Sequence, residues 1–300
     1  MGNRLKGKNV VVTGSGRGIG REAALALAME GANIVVNDLG GEVVGTGSAQ
    51  RPADQVVAEI KALGSQAVPN YDSVADFKAA ERIIDTCVKA FGRIDILVNV
   101  AGNYLGRMIW NMSEEEWDLI YRVHLKGTFN CSRHASGHMR RQRSGRIINI
   151  TSAARQGAPG ASAYAAAKGG ISSLTFALAR ELGRYGVTCN AIAPWANTRL
   201  MRATGLDPSF PVAAEWLAQE GFSSPDDITG PEYVPPIIVY LSTDNASNIN
   251  GQVFPCSGGR IAITAEPVEI KGIYKDYKKD GAWTLDELIE MVPKVLLKKS

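Results

Sequence analysis

Tyr164 and Lys168 lie four residues apart in Ser162-Ala-Tyr-Ala-Ala-Ala-Lys168-Gly-Gly, a stretch that reads as helix and so places both side chains on one face. A free tyrosine titrates near ~10, and lowering that by about two units takes about 2.7 kcal/mol of preference for the phenolate. A lysine ammonium within hydrogen-bond reach can supply it, so the pair has the makings of a general base. The same spacing also arises by chance on many helices, and its meaning depends on what precedes it.

What precedes it is a strand that runs into Thr13-Gly14-Ser15-Gly16-Arg17-Gly18-Ile19-Gly20 and then a helix to Glu30. Backbone amides at that helix start face outward where a pyrophosphate can sit, and the glycines allow close approach. This makes Gly14, Ser15, Arg17, Gly18, Ile19 and Gly20 candidate dinucleotide contacts. The G-x-G-x-x-G pattern fails, because it requires glycine at Ile19 or at Arg21; T-G-x-x-x-G-x-G fits. Asp38 follows Gly18 by twenty positions at the end of the second apolar run. Its carboxylate can accept from both adenosine ribose hydroxyls and repels a 2′-phosphate, which favours NAD over NADP. Arg17 and Arg21 pull the other way, since a guanidinium can pair with that phosphate.

The elements that must position these groups are legible as alternation. Short apolar runs recur at Val10 to Thr13, Asn33 to Asn37, Gln66 to Pro69, Ile94 to Val98, Arg146 to Ile150, Val187 to Ile192 and Gln252 to Phe254. Helix-like stretches lie between them: Gly20 to Glu30, Pro52 to Leu63, Val74 to Phe91, Ser113 to Arg140, Ala161 to Tyr185 and Pro231 to Ser242. This pattern predicts an α/β fold, a Rossmann-like doubly wound parallel sheet of about seven strands with helices on both faces. Residues 1–259 form that domain. Residues 198–230, with Pro208, Pro211, Pro225, Met201, Leu206, Phe210 and Trp216, read as a substrate lid, and 260–300 as a C-terminal extension. The extension carries a capping-box spacing at Thr284 and Glu287, then Leu285, Leu288, Ile289 and Val292 on one face, and is expected to dock on its own domain or a neighbour.

Composition excludes several classes. The 33 basic and 30 acidic residues leave a net charge of +3, far from a dedicated nucleic-acid binder. No uncharged run is long enough to span a bilayer, and the polar start lacks a secretory pattern, so the expected location is cytoplasmic. Cys87, Cys131, Cys189 and Cys256 are scattered without a Cys-x-x-Cys pair and read as buried thiols. His134 and His138 have a zinc-binding spacing, but no nearby acid completes a site, and no metal is expected.

With Thr13 to Gly20, Asn99-Val-Ala101-Gly102, Ser152, Tyr164 and Lys168 in order, the chain resembles the short-chain dehydrogenases/reductases from about Lys6 to Gly259. Within that family, Val36-Asn-Asp-Leu-Gly-Gly41, Asn70-Tyr-Asp-Ser-Val74, Val123-His-Leu-Lys-Gly127 and Cys189-Asn-Ala-Ile-Ala-Pro194 are similar to the hydroxyacyl-CoA dehydrogenase domain of multifunctional β-oxidation enzymes. The resemblance implies oxidation of a 3-hydroxyacyl-CoA thioester to the 3-ketoacyl-CoA, with NAD accepting hydride and a homodimer or homotetramer as the assembly. It makes Tyr164 the proton acceptor, has Lys168 bond the nicotinamide ribose, and has Ser152 hold the substrate oxygen. Asp72, Ser73 and Val74 would border the adenine, and Asn99, Ala101 and Gly102 would shape the pocket below the ribose. Ile192, Pro194 and Thr198 would flank the nicotinamide. Tyr104, Gln156, Trp195 and Met201 are candidates for the substrate pocket.

Three departures from the family pattern bear on the chemistry. Ser152 stands twelve positions before Tyr164 where thirteen is usual, so either the intervening loop is one residue shorter or Thr151 supplies the hydroxyl. His124 stands where the family has a catalytic asparagine, with a positional role favoured over proton transfer. Trp195 replaces a glycine, either packing on the lid or walling the substrate site. Alternative functions are a ketoreductase or hydroxysteroid-type dehydrogenase, and a dinucleotide sensor without chemistry.

Overall fold

The computed structural model describes residues 2–203, 228–264 and 270–297. They fall into two compact units, 1–263 and 264–300. Among the described residues the first unit holds one eight-stranded sheet, made of β1 (Asn9–Thr13), β2 (Asn33–Asn37), β3 (Ala67–Asn70), β4 (Ile96–Asn99), β5 (Gly145–Ile150), β6 (Val187–Pro194), β7 (Val253–Ser257) and β8 (Arg260–Ile261). The order is β3-β2-β1-β4-β5-β6-β7-β8. All pairings are parallel except β7 with the two-residue β8 at the edge, which the sequence reading did not resolve.

Strand residues alternate between two cores because successive side chains leave opposite faces of a sheet. Val10, Val12, Ile34 and Val36 pack with Ala23, Ala24 and Leu27 of α1 (Gly18–Met29), whereas Val11, Val35 and Leu97 pack with Ile83, Ile84 and Cys87 of α3 (Phe77–Phe91). Both faces are therefore covered, which explains why the strands read as unbroken apolar runs. The first face also takes α2 (Arg51–Ala62) and α8 (Pro235–Ser242), and the second takes α5 (Gly127–Gln142). α3 begins three residues later than its apolar pattern, since Asp76 caps it by accepting from Ala79 N at 2.6 Å.

The expected single helix from Ser113 to Arg140 is three pieces: α4 (Glu114–Tyr121), a π-turn at Arg122–Lys126, and α5. Its start is a capping box, with Ser113 Oγ accepting from Glu116 N at 3.2 Å and Glu116 Oε2 accepting from Ser113 N at 3.1 Å. The π-turn places His124, which is buried, on the inner side. α6 (Ser162–Leu182) carries Tyr164 and Lys168, and α7 (Arg199–Ala203) opens the segment read as a lid. Residues 204–227 of that segment, with Leu206, Pro208, Phe210, Pro211, Trp216 and Pro225, lie outside the described residues.

The second unit contains α9 (Tyr277–Asp280) and α10 (Leu285–Met291). Thr284 and Glu287 form the capping box, and Lys275 Nζ lies 2.9 Å from both Glu287 oxygens and 5.1 Å from the Trp283 ring centroid. Among the described residues no helix is long and apolar enough to cross a membrane, and no group of three metal-ligating side chains occurs. His134 Nε2 donates to the Phe77 carbonyl at 3.0 Å.

Candidate active site

The strand order reverses direction of growth between β1 and β4, and a cleft of about 1050 Å³ opens at the carboxyl ends of the strands there. Two glycines make its floor possible. Gly14 has φ +64, and a Cβ on it would stand 2.6 Å from Ala101 Cα; one on Gly20 would stand 2.2 Å from Gly14 O. Gly14, Arg17, Gly18, Ile19 and Gly20 all face the cleft. Ser15 does not: its Oγ donates to Val12 O at 2.7 Å and the side chain is fully buried.

Asp38 lies at the end of β2 with both oxygens held, Oδ2 accepting from Gly16 N at 2.7 Å and Oδ1 from Gly40 N at 2.6 Å. Its carboxylate is thus fixed at the cleft wall with lone pairs to spare. Arg21, a candidate phosphate partner, is engaged elsewhere, paired with Glu22 and, at 2.5 Å, with Glu59. Arg17 stays at the cleft. Asp72, Ser73 and Val74 line it, with Asp72 Oδ1 accepting from Arg82 Nε at 2.9 Å. Ala101, Gly102, Pro194 and Thr198 line it too. Asn99 is turned away, its Nδ2 donating to Asn149 Oδ1 at 2.9 Å and so bracing β4 to β5.

Ser152, Tyr164, Lys168 and His124 come together at the inner end. Ser152 Oγ accepts from Ala154 N at 3.1 Å and favours the ionised form of Tyr164. Thr151 is turned the other way, its Oγ1 donating to Lys168 O at 2.7 Å and lying 2.9 Å from Ser172 Oγ. Lys168 Nζ donates to Ile150 O at 2.6 Å and sits 5.4 Å from the Tyr164 ring centroid.

Burial dominates the electrostatics of the site. Burial raises the Tyr164 phenol above its usual range, the Ser152 hydrogen bond pulls it back, and Tyr104 adds a small rise. Burial also lowers Lys168 to about 7. Desolvation penalises both charges of a phenolate–ammonium pair, and the one hydrogen bond from Lys168 Nζ to Ile150 O leaves its other donors for a partner in the cleft. His124 is pushed down to about 3, first by burial and then by Lys168, so the imidazole is neutral.

Tyr104 and Met201 line the cleft, whereas Gln156 is exposed outside it and Trp195 is 3% exposed, packed with Ala153, Ile228 and Met201. Sequence reading missed the loop after Asp38. Leu39, Glu42, Val43 and Gly45 form a cleft wall, with Tyr104 N donating to Val43 O at 2.9 Å and Arg199 Nη1 lying 3.4 Å from Glu42 Oε2. It also missed Asn103, whose backbone meets His124. The glycines at 40, 41, 45 and 47 announced a loop, but nothing in them told where it would fold.

A glycine-lined cleft at a strand-order reversal, with an acid at the second strand and a Ser–Tyr–Lys set inside it, defines a dinucleotide-dependent α/β oxidoreductase. Residues 8–205 match the family model for short chain dehydrogenase, and the chain belongs to that family. It is 40% identical over 262 residues to peroxisomal multifunctional enzyme type 2 of Mus musculus, covering 86% of this chain and 32% of that protein. The chain thus spans about a third of that relative's length. It is 37% identical to the 3-oxoacyl-[acyl-carrier-protein] reductase FabG of Staphylococcus epidermidis over 84% of this chain and 98% of the other. The crystal structure of a short chain dehydrogenase from Mycobacterium avium superposes with TM-score 0.81 at 39% identity, covering 99% of this chain and 97% of that one. The chain is thus a short-chain dehydrogenase/reductase, a family of oxidoreductases that act on CH–OH groups with a nicotinamide cofactor.

Proposed function

We propose that this chain oxidises the β-hydroxyl of a 3-hydroxyacyl-CoA thioester with NAD. The observation that carries the chemistry is the placement of Ser152, Tyr164 and Lys168 in the same cleft as the fixed Asp38 carboxylate. The cofactor, when bound, supplies the hydride acceptor. The close approach at Gly14 and Gly20 and the two-amide grip on Asp38 fit a pyrophosphate and an unphosphorylated ribose. Ser152 then holds and orients the substrate oxygen, while Tyr164 takes its proton as the carbon–hydrogen bond gives up hydride. Lys168 bonds the ribose and favours the phenolate when charged. The thioester reading is supported by the resemblance of residues 36–41, 70–74, 123–127 and 189–194 to the hydroxyacyl-CoA dehydrogenase domain.

A dehydrogenation assay across 3-hydroxyacyl-CoA esters, free secondary alcohols and 3-ketoacyl thioesters with NAD and NADP tests this. Failure on every thioester removes the substrate class, and a clear NADP preference removes the reading of Asp38. The reductase relative makes thioester reduction the second reading, decided by the same assay run backwards. The assembly proposed is a homodimer or homotetramer through α4, α5 and α6, supported by Trp117, Tyr121 and Phe129, exposed at 36%, 42% and 45% on the first two. Light scattering of the intact protein measures it, and a monomer at assay concentration refutes it.

A further inference from the structure

The Tyr164 ring has an unusual set of neighbours. The His124 ring stands 5.1 Å away at 88° and the Tyr104 ring 5.4 Å away at 72°, both edge-on. Edge-on contacts at this separation are favourable and directional, so two of them on one ring restrict its tilt.

Neither neighbour is free to move. His124 Nε2 lies 2.7 Å from Asn103 O and 3.2 Å from Asn103 N; one nitrogen cannot serve both, and the shorter contact makes it the donor to the carbonyl. Nδ1 is buried without a hydrogen-bond partner among the described residues, which leaves the ring no competing polar anchor. The imidazole fills the space beside Gly102, where a Cβ would stand 2.5 Å from its Cε1. Tyr104, the residue after Asn103, is tied through its own amide to Val43 O at 2.9 Å. One short stretch, Gly102 to Tyr104, therefore seats one ring and supplies the other.

We propose that His124 and Tyr104 are positioning residues that clamp the Tyr164 ring between two aromatic edges, holding its hydroxyl toward Ser152. The proposal rests on the reading of Tyr164 as proton acceptor. A π-turn on one side and a glycine-floored loop on the other converge on this ring, and the deletion of a neighbour, rather than of a proton, is the change to which it should respond. A misplacement of about 1 Å at a reacting group can lower a rate about 100-fold.

The test compares Tyr104→Phe with Tyr104→Leu, and His124→Phe with His124→Asn, in the full chain. For each we would measure kcat, the KM for NAD, NADH binding by fluorescence, and the flip rate of the Tyr164 ring by NMR of tyrosine carrying carbon-13 at the ring ε positions, assigned with Tyr164→Phe. Tyr104→Phe should stay within about threefold of wild type in kcat; Tyr104→Leu should lose about 10- to 100-fold with NADH binding kept, and its ring should flip faster. His124→Phe should retain more kcat than His124→Asn. Because His124→Phe removes the donor to Asn103 O and can fail to fold, the Tyr104 pair decides alone if it does. An unchanged flip rate in Tyr104→Leu, or a raised substrate KM with unchanged kcat, overturns the clamp. If wild type binds NADH but turns over no alcohol, the functional reading has failed, and the flip rates still decide the clamp.

Discussion

Two opposing influences meet on the Tyr164 phenol: burial, which keeps it protonated, and the Ser152 hydroxyl, which favours its ionisation. Removing that hydroxyl should therefore harm catalysis twice, through substrate orientation and through the base. Ser152→Ala is expected to lower kcat/KM about 100- to 1000-fold, the range seen when one positioned donor to a reacting oxygen is lost. Thr151→Ala should instead destabilise the fold by about 1 kcal/mol with far smaller loss of activity, because its hydroxyl braces α6 to the end of β5. Steady-state kinetics beside denaturant titration of both variants separates the two; the reverse pattern would move the role to Thr151. Lys168 gives a pH signature. Its folded value of about 7 lies below its ordinary 10.5, so between those values the folded chain binds fewer protons than the unfolded one. The group thus opposes folding below about pH 7, and the penalty fades as pH rises toward 10.5. Relative to Lys168→Met, wild type should gain stability from pH 6 to 9. His124, neutral down to about 3, should leave the acid limb of the rate profile where it is when changed to Asn.

At the scale of elements, β4 shows how much each strand residue bears. Leu97 is fully buried between β1 and β5 against α3 and α5, and Leu97→Ala should lower unfolding free energy by about 2–5 kcal/mol. Asp76→Ala removes a cap from α3 and should lower it by about 1 kcal/mol. Chemical denaturation checks both, and equal losses would contradict the burial pattern. These elements were legible because parallel strands buried on both faces and helices with one apolar stripe leave different periods in the sequence. The turn from Thr13 to Gly20 and the acid at Asp38 were legible for the same reason, since each sits at a strand end. The π-turn at Arg122–Lys126 was not, for it interrupts the helix without interrupting its composition. Nor was the fate of Trp195, where a large residue at a glycine position says that space is filled but not from which side. The direction of the Tyr164 shift was illegible too. Spacing gives the neighbour of a group, whereas its ionisation depends on how much water is left around both.

Across the molecule as a whole, the sheet and its two helical layers leave little reactive surface, and the cysteines record this. Cys87, Cys131, Cys189 and Cys256 are all buried free thiols. Burial pushes Cys87, Cys131 and Cys256 up to about 12 and Cys189 further up. Thiolate, the form that alkylating reagents attack, is thus almost absent while the fold is closed. The native protein should resist brief alkylation, and where the layers open separately peptide mass spectrometry should find a ladder of partly labelled chains rather than only unlabelled and fully labelled ones. Cys256 sits near the sheet edge on β7, while Cys87, Cys131 and Cys189 belong to the core between the sheet, α3 and α5. The order in which these four thiols become modified then acts as a built-in clock, reporting which layer of the molecule lets go first.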